Sequence, residues 1–378
     1  MQWVKRLLSG LGLSIALLSS QAGLVTQAQA RTVTDLAGRQ VQLPERVERV
    51  LLGEGRLLPA LAILERDQLP NRLVAMMGEF EKLDPAGYAQ FSQAFPAIDK
   101  VPRVGRLDAT SFSDEQAIAR RPQVAILSMG SGHGPNQKST ETVARLEAAG
   151  IQVMFIDLRH DPLRNTPRSM EILGQVLGKE QEAKAFTAYW RKQLAIVEKG
   201  LAGAPAGPTV YLDSRVGLDD GCCATMVGML GKLVTAAGGR NIGTGLIPGE
   251  AGTLNPELLI ARQPDLYIGT GIGSMATVEK SPRRIVLGAD ATPAAARASL
   301  VRATQRRTID QLQAAQPGHA HAIWHHFYNS PFNVVALQVL AKWMYPDRFA
   351  QLQPRDTLQT MYQRFMPIPL TGEYWVSL

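Results

Sequence analysis

The stretch IWHHFYNSPFNVVALQVLAKWMYP, Ile323 to Pro346, gathers the side chains best suited to chemistry: His325 and His326 beside Trp324, Phe327 and Tyr328. Histidine is a ready zinc ligand and general base. Aromatic faces with polar tips instead suit a wall on which a chromophore or a large chelate rests. His319, His321 and His325 fall at spacings of two and four, so on a strand they share one face, and a His-x-His of this kind can hold zinc. A catalytic zinc needs three protein ligands and a held water. No carboxylate ligand or general base lies beside these histidines, His133 is the candidate partner taken from elsewhere in the chain, and the first pair sits in PGHAH at the start of its strand. The zinc-dependent hydrolase is therefore the weaker reading and a binding wall the stronger. GTGIGS lacks the third glycine of a dinucleotide finger, and no GxSxG nucleophile elbow is evident.

The elements that position these residues follow from pattern. Residues 1–30 place Lys5 and Arg6 before an apolar run from Leu7 to about Leu18 and end in Ala28-Gln29-Ala30. This reads as a secretory signal peptide cut after Ala30, because the run is shorter than the roughly 20 residues of a spanning helix. The net charge of +7 falls to +5 once Lys5 and Arg6 are removed. That mild excess, with no dense basic block, fits an anionic small ligand and excludes a nucleic-acid partner. The only cysteines, Cys222 and Cys223, are neighbours. In an oxidising compartment they form a ring between adjacent residues or stay two thiols, and in neither state do they staple the fold.

The roughly 350 residues after the cleavage point exceed what one core usually holds, so two lobes are expected. VTDLAGRQVQLP turns through Ala37-Gly38 as a hairpin. Continuous apolar runs at Val47–Leu52, Val124–Met129 and IQVMFID, separated by helical patterns, indicate a parallel sheet covered on both faces. From Pro162 to about Leu201 the pattern is helical, with Gly178 a possible break, and GAPAGP marks a boundary. Strand and helix then alternate again through TVYLD, a helix over MVGMLGKLVTAA, DLYIGT and HAIWHH. NVVALQVLAKWMYP reads as an amphipathic helix stopped by Pro346. Ligand-facing loops lie at the carboxyl ends of parallel strands, which selects 53–56, 130–134, 214–223, 271–274 and 326–330.

Two lead-ins repeat. SDEQAIARRPQVAIL places Glu115 seven residues before Pro122, and LNPELLIARQPDLYI places Glu257 seven residues before Pro264. With the opening VTDLAGRQVQLP and the closing WHHFYNSPFNVVALQVLAKWMYPDRF, these lead-ins resemble the periplasmic substrate-binding proteins of ABC importers for iron-siderophores, haem and cobalamin. The likeness runs over nearly the whole chain after residue 30. It implies an α/β fold of two Rossmann-like lobes with parallel sheets, connected by a single long α-helix, with the ligand cleft between them and only modest lobe closure. The divisions are 1–30 signal peptide, 31–165 N-terminal lobe, 166–203 connecting helix and 204–378 C-terminal lobe. The resemblance further implies a periplasmic binding protein that is not an enzyme, delivers its ligand to ABC permease subunits at the inner membrane, and docks on them through Glu115 and Glu257.

The favoured ligand is a ferric siderophore, so no cofactor is needed because the iron arrives within the bound chelate. Guanidinium forks suit its anionic oxygens, which selects Arg56, Arg103 and Arg106, with Arg283 and Arg284 as weaker candidates on a long second-lobe insertion. Trp324 and Tyr328 supply aromatic faces, and His133 and Met226 complete the ligand set. Haem or a corrinoid is the alternative; haem wants a Tyr or His aimed at iron, for which Tyr88, Tyr328, His133 or His326 would serve.

Overall fold

Runs of branched and apolar residues are buried as strands in both halves of the computed structural model, which describes residues 31–378 apart from Ser131 and Asp220. The signal peptide expected at 1–30 lies outside the described residues. β1 (Arg31–Thr34) and β2 (Gln40–Leu43) form the expected hairpin, and Gly38 takes a φ of 82° in its turn, where a side chain would be strained. β3 (Val50–Leu52), β4 (Leu73–Met76), β5 (Val124–Ser128) and β6 (Gln152–Ile156) make a wholly parallel sheet in the order β4-β3-β5-β6. Val50 to Leu52 and Val124 to Leu127 are fully buried, as strands covered on both faces must be.

The second sheet is built from β7 (Thr209–Asp213), β8 (Ala224–Met226), β9 (Arg240–Asn241), β10 (Ala251–Thr253), β11 (Leu266–Gly271), β12 (Ala320–Trp324) and β13 (Trp375–Ser377). Its order is β10-β8-β7-β11-β12-β13, with β9 beside the start of β7. Only β7, β9, β11 and β12 pair in parallel; β8, β10 and β13 are antiparallel additions at the edges. The ten residues between β7 and β8 are fewer than the dozen or so that a parallel crossover needs. The helix expected over MVGMLGKLVTAA accordingly shortens to Leu230–Ala236, because Met226 belongs to β8.

The connecting segment is two helices rather than one, Pro162–Leu177 and Glu180–Leu201. Gly178 ends the first in the left-handed conformation at φ 66°, with its N–H on the Gly174 carbonyl, a common helix stop. The bridge between lobes is the second helix, about 33 Å long at 1.5 Å per residue. It packs on helix Leu58–Glu65 of the first lobe and on helix Asn333–Met344 of the second. Trp190 lies fully buried in this seam, donating from Nε1 to Asn333 Oδ1 at 3.2 Å, while Asn333 Nδ2 donates to Thr166 Oγ1 at 2.6 Å. Helix Asn333–Met344 was expected to be amphipathic, yet every residue from Asn333 to Ala341 is buried. The bridge covers one side of it and helix Leu230–Ala236 another.

One apolar cluster thus runs from Leu52 and Leu61 through Phe186 and Trp190 to Val210, Phe327 and Leu337, joining both lobes. Trp190→Ala should cost about 3–5 kcal/mol, read as a lowered urea midpoint. An unchanged midpoint would show that the bridge does not carry the shared core.

Candidate functional site

The loops that leave β3, β5, β7, β11 and β12 converge: Arg56, His133, Arg215, Ile272 and His325 line one cavity. The first of these loops is forced close to its neighbours. A Cβ on Gly55 would stand 2.5 Å from the Met77 carbonyl, so only glycine lets the turn Gly55–Leu57 carry Arg56 inward.

Arg56 is 4% exposed and reaches across the seam. Its Nη1 donates to Tyr328 Oη at 3.0 Å and to His326 Nδ1 at 3.1 Å. His326 Nε2 lies 2.9 Å from the Leu83 carbonyl, so that nitrogen carries the proton and Nδ1 accepts. Burial, and then the Arg56 charge, push His326 down to about 3, which keeps this imidazole neutral. Around Arg56 stand two buried carboxylates. Glu54 accepts from Arg159 Nη2 at 2.7 Å, Ser128 Oγ at 2.8 Å and Asn329 Nδ2 at 3.3 Å. Burial raises its pKa, but Arg159 and Arg56 outweigh that and hold it below the usual carboxylate range. Glu79 accepts the Arg56 backbone N–H at 3.0 Å and is raised, burial outweighing the pull of Arg56. For Tyr328 burial is again opposed by Arg56 and Arg159, and the phenol is lowered.

Arg56 and His326 form a partition with a cavity on each side. The first, about 200 Å³, is lined by Lys82, Arg215 and Arg284 with His133, His325 and Tyr328; among the described residues no carboxylate lines it. Burial, then Arg56, push His133 down to about 4, and burial drives His325 well below its usual range. The second cavity, about 40 Å³, is aromatic, lined by Phe80, Phe91, Trp324, Phe332, Tyr362 and Tyr374, with Asp84 beside them. Trp324 meets His326, Phe327 and Tyr374 edge to face at 5.4, 5.3 and 5.2 Å.

Of the residues selected from sequence, Arg56, His133 and Tyr328 meet in the basic cavity, and Trp324 lies behind the partition. Arg103, Arg106 and Met226 line neither cavity. Arg103 is committed to Glu81 at 2.5 Å, to the Ile98 carbonyl at 3.2 Å and to Tyr88 Oη at 2.6 Å. Arg106 is exposed on its loop. Met226 sits on β8 and packs into the shared core. Lys82 and Arg215 line the cavity without having been selected, although Arg215 lies in the selected 214–223 loop; Arg284 is a half-exposed cation there. Glu54 and Arg159 were also missed, two residues beyond the end of β3 and three beyond the end of β6.

His319, His321 and His325 do not converge on one point. His321 stacks on Trp343 at 4.4 Å and pairs with Ser377 Oγ at 2.8 Å, His319 lies 3.2 Å from the Asp265 carbonyl, and His325 bonds Thr270 Oγ1 at 3.1 Å. Among the described residues no group of three His, Cys, Asp or Glu is placed to hold a metal. Glu115 and Glu257 are both exposed and each is the second residue of a helix, Asp114–Ala119 and Pro256–Arg262. Ser113 and Asn255 cap those helices, Asn255 accepting from the Glu257 N–H at 2.8 Å.

No family model and no curated protein matches the chain. Solved structures do. The TroA-like periplasmic binding protein FepB from Veillonella parvula is 25% identical with a TM-score of 0.82, covering 92% of this chain and 99% of its own. The molybdate-bound periplasmic binding protein MolA from Haemophilus influenzae is 14% identical with a TM-score of 0.66, covering 91% and 100%. A periplasmic heme binding protein from Pseudomonas aeruginosa is 21% identical with a TM-score of 0.52, covering 80% and 94%.

Two measurements test the site. Glu54→Gln strands two buried guanidiniums and should cost about 3–5 kcal/mol in urea denaturation; a neutral substitution would refute the partition. Asp84, raised to about 6 chiefly by burial, stands above its unfolded value of about 3.9. The folded state therefore holds the extra proton, and the stability linked to it is full below about pH 4 and lost as pH rises through 6. Across that window Asp84→Asn should show a flatter stability profile than the parent, and identical slopes would contradict this assignment.

Proposed function

We propose that this chain, a periplasmic binding protein with the TroA-like fold of ABC-importer solute carriers, captures an anionic metal chelate, a ferric siderophore in the first place. The observation that carries this reading is the lining of the cleft cavity: Arg56, Lys82, Arg215 and Arg284 with no carboxylate opposite them among the described residues. Guanidinium forks donate to paired oxygens without giving up charge, and neutral histidines beside them add hydrogen bonds without competing charge. Arg56 is tied to Tyr328 and His326, so the more exposed Lys82, Arg215 and Arg284 make first contact with the ligand.

A wrapped iron needs no ligand from the protein. Direct capture of haem iron is less well served, because Tyr328, His326 and Tyr88 already hold protein partners. No helix among the described residues is long and apolar enough to cross a membrane. Glu115 and Glu257 are the proposed docking pair, since both are exposed at the same turn of matching helices.

Titration with ferric siderophores, haem and cobalamin, followed by tryptophan fluorescence, tests the ligand class. A ferric siderophore should bind with submicromolar Kd, and Arg215→Gln and Arg284→Gln should each weaken it about 10- to 100-fold, one lost charge-assisted bond being worth about 1.5–3 kcal/mol. Tight zinc binding with no response to any chelate would sink the proposal. Glu115→Ala with Glu257→Ala should abolish delivery in a transport assay and leave the Kd unchanged.

A further inference from the structure

The proposed function leaves the paired cysteines without a role. Cys222 and Cys223 are bonded to each other, so the bond constrains only its own loop. That loop leaves β7 at Ser214 and returns into β8 after Cys223. Near its start, Arg215 and Leu218 line the basic cleft cavity. Near its end, Cys222 lines a second cavity of about 360 Å³ with Gly217, Arg283, Arg306 and Arg307. The two cavities share a ridge: Leu218 and Arg284 face one, Gly217 and Arg283 the other, and a Cβ on Gly217 would meet the Arg283 carbonyl carbon at 2.4 Å.

The loop holds two non-glycine residues at positive φ, Arg215 at 52° and Cys223 at 150°. Such conformations persist only where surroundings enforce them. Arg215 is held by its N–H on Thr270 Oγ1 at 2.6 Å, and that oxygen also bonds His325 of the cleft at 3.1 Å. Cys223 is held by the ring and by its carbonyl, which accepts the Leu254 N–H at 3.0 Å. Val216, next to Arg215, shares one apolar cluster with Cys223, Tyr211 and Tyr267. A continuous set of contacts therefore joins the ring to the cleft arginine.

Access differs between the two sulfurs. Cys223 is 1% exposed, whereas Cys222 is half-buried on the wall of an open cavity, where a small thiol can reach it. We propose that Cys222–Cys223 is a reducible site, opened by a small dithiol through this second cavity, and that opening it loosens the loop carrying Arg215 and weakens chelate capture. The effect on capture rests on the function proposed above. A thiolate of the dithiol attacks Cys222 Sγ, the S–S bond breaks, and Cys223 leaves as a thiolate that takes a proton. The second thiolate of the reductant then displaces Cys222 from the mixed disulfide. The reductant departs as its own disulfide, having given two electrons and two protons.

The test treats the folded protein with dithiothreitol and reads three quantities: alkylated thiols by mass, amide hydrogen exchange, and Kd for whichever ferric siderophore the oxidised form binds. Two alkylated cysteines, at least tenfold faster exchange confined to residues 214–219, and a Kd raised at least fivefold are expected. Cys222→Ser, which leaves Cys223 in its apolar cluster, should show the reduced behaviour without reductant. Resistance of the folded protein to dithiothreitol, or reduction with unchanged exchange at 214–219, overturns the inference. If no chelate binds either form while exchange still responds, the reducible loop stands and the proposed ligand class falls.

Discussion

The guanidinium of Arg56 is the constraint around which the two lobes are arranged. A cation this deeply buried is tolerated only with counter-charge and hydrogen bonds on several sides, and the chain supplies them from both lobes: Glu54 and Glu79 from the first, Tyr328 and His326 from the second. Glu54 in turn needs Arg159, Ser128 and Asn329. The turn after β12 is thereby pinned into the first lobe, and the position of the partition follows from that pinning rather than from any one strand.

The partition divides the seam by chemistry. On one side charge gathers at the mouth of the cleft, and on the other Trp324, Tyr374 and Phe332 close an apolar interior. Histidines next to so many arginines stay neutral, because burial and positive neighbours both disfavour the imidazolium. The wall of aromatics read from the sequence therefore exists, but most of it supports the partition from behind, and the face turned to the cleft is Tyr328 with cations around it.

Rigidity follows from the shared core. Trp190 and Phe186 on the bridge belong to the same apolar cluster as Leu61 of one lobe and Leu337 of the other, so a large opening would expose that cluster to water. Loops are the cheaper place to move, and the 214–223 loop carries both a cleft cation and the cysteine ring.

The sequence by itself determined the parallel strands at the centre of each sheet, the hairpin at the start, the helical connector and the loops that face the cleft. These are statements about local period and strand polarity, which a single run of residues carries. Arg56 and Tyr328 could be assigned to the cleft because each lies in a loop that follows a strand. Arg103 and Met226 were misjudged because a side chain's partner, Glu81 for one and the core for the other, is set by where distant segments pack. Gly178 was readable as a break, but that the second helix would be the longer bridge between the lobes, with the first packed beside it, was decided by how both helices pack against Leu58–Glu65 and Asn333–Met344. Lys82, Arg215 and Arg284 lie far apart in the chain and share a cavity only when the lobes meet. Their common field, like the joint burial of Glu54, Arg56 and Arg159, is a property of distances in space, and the tertiary structure alone decided those.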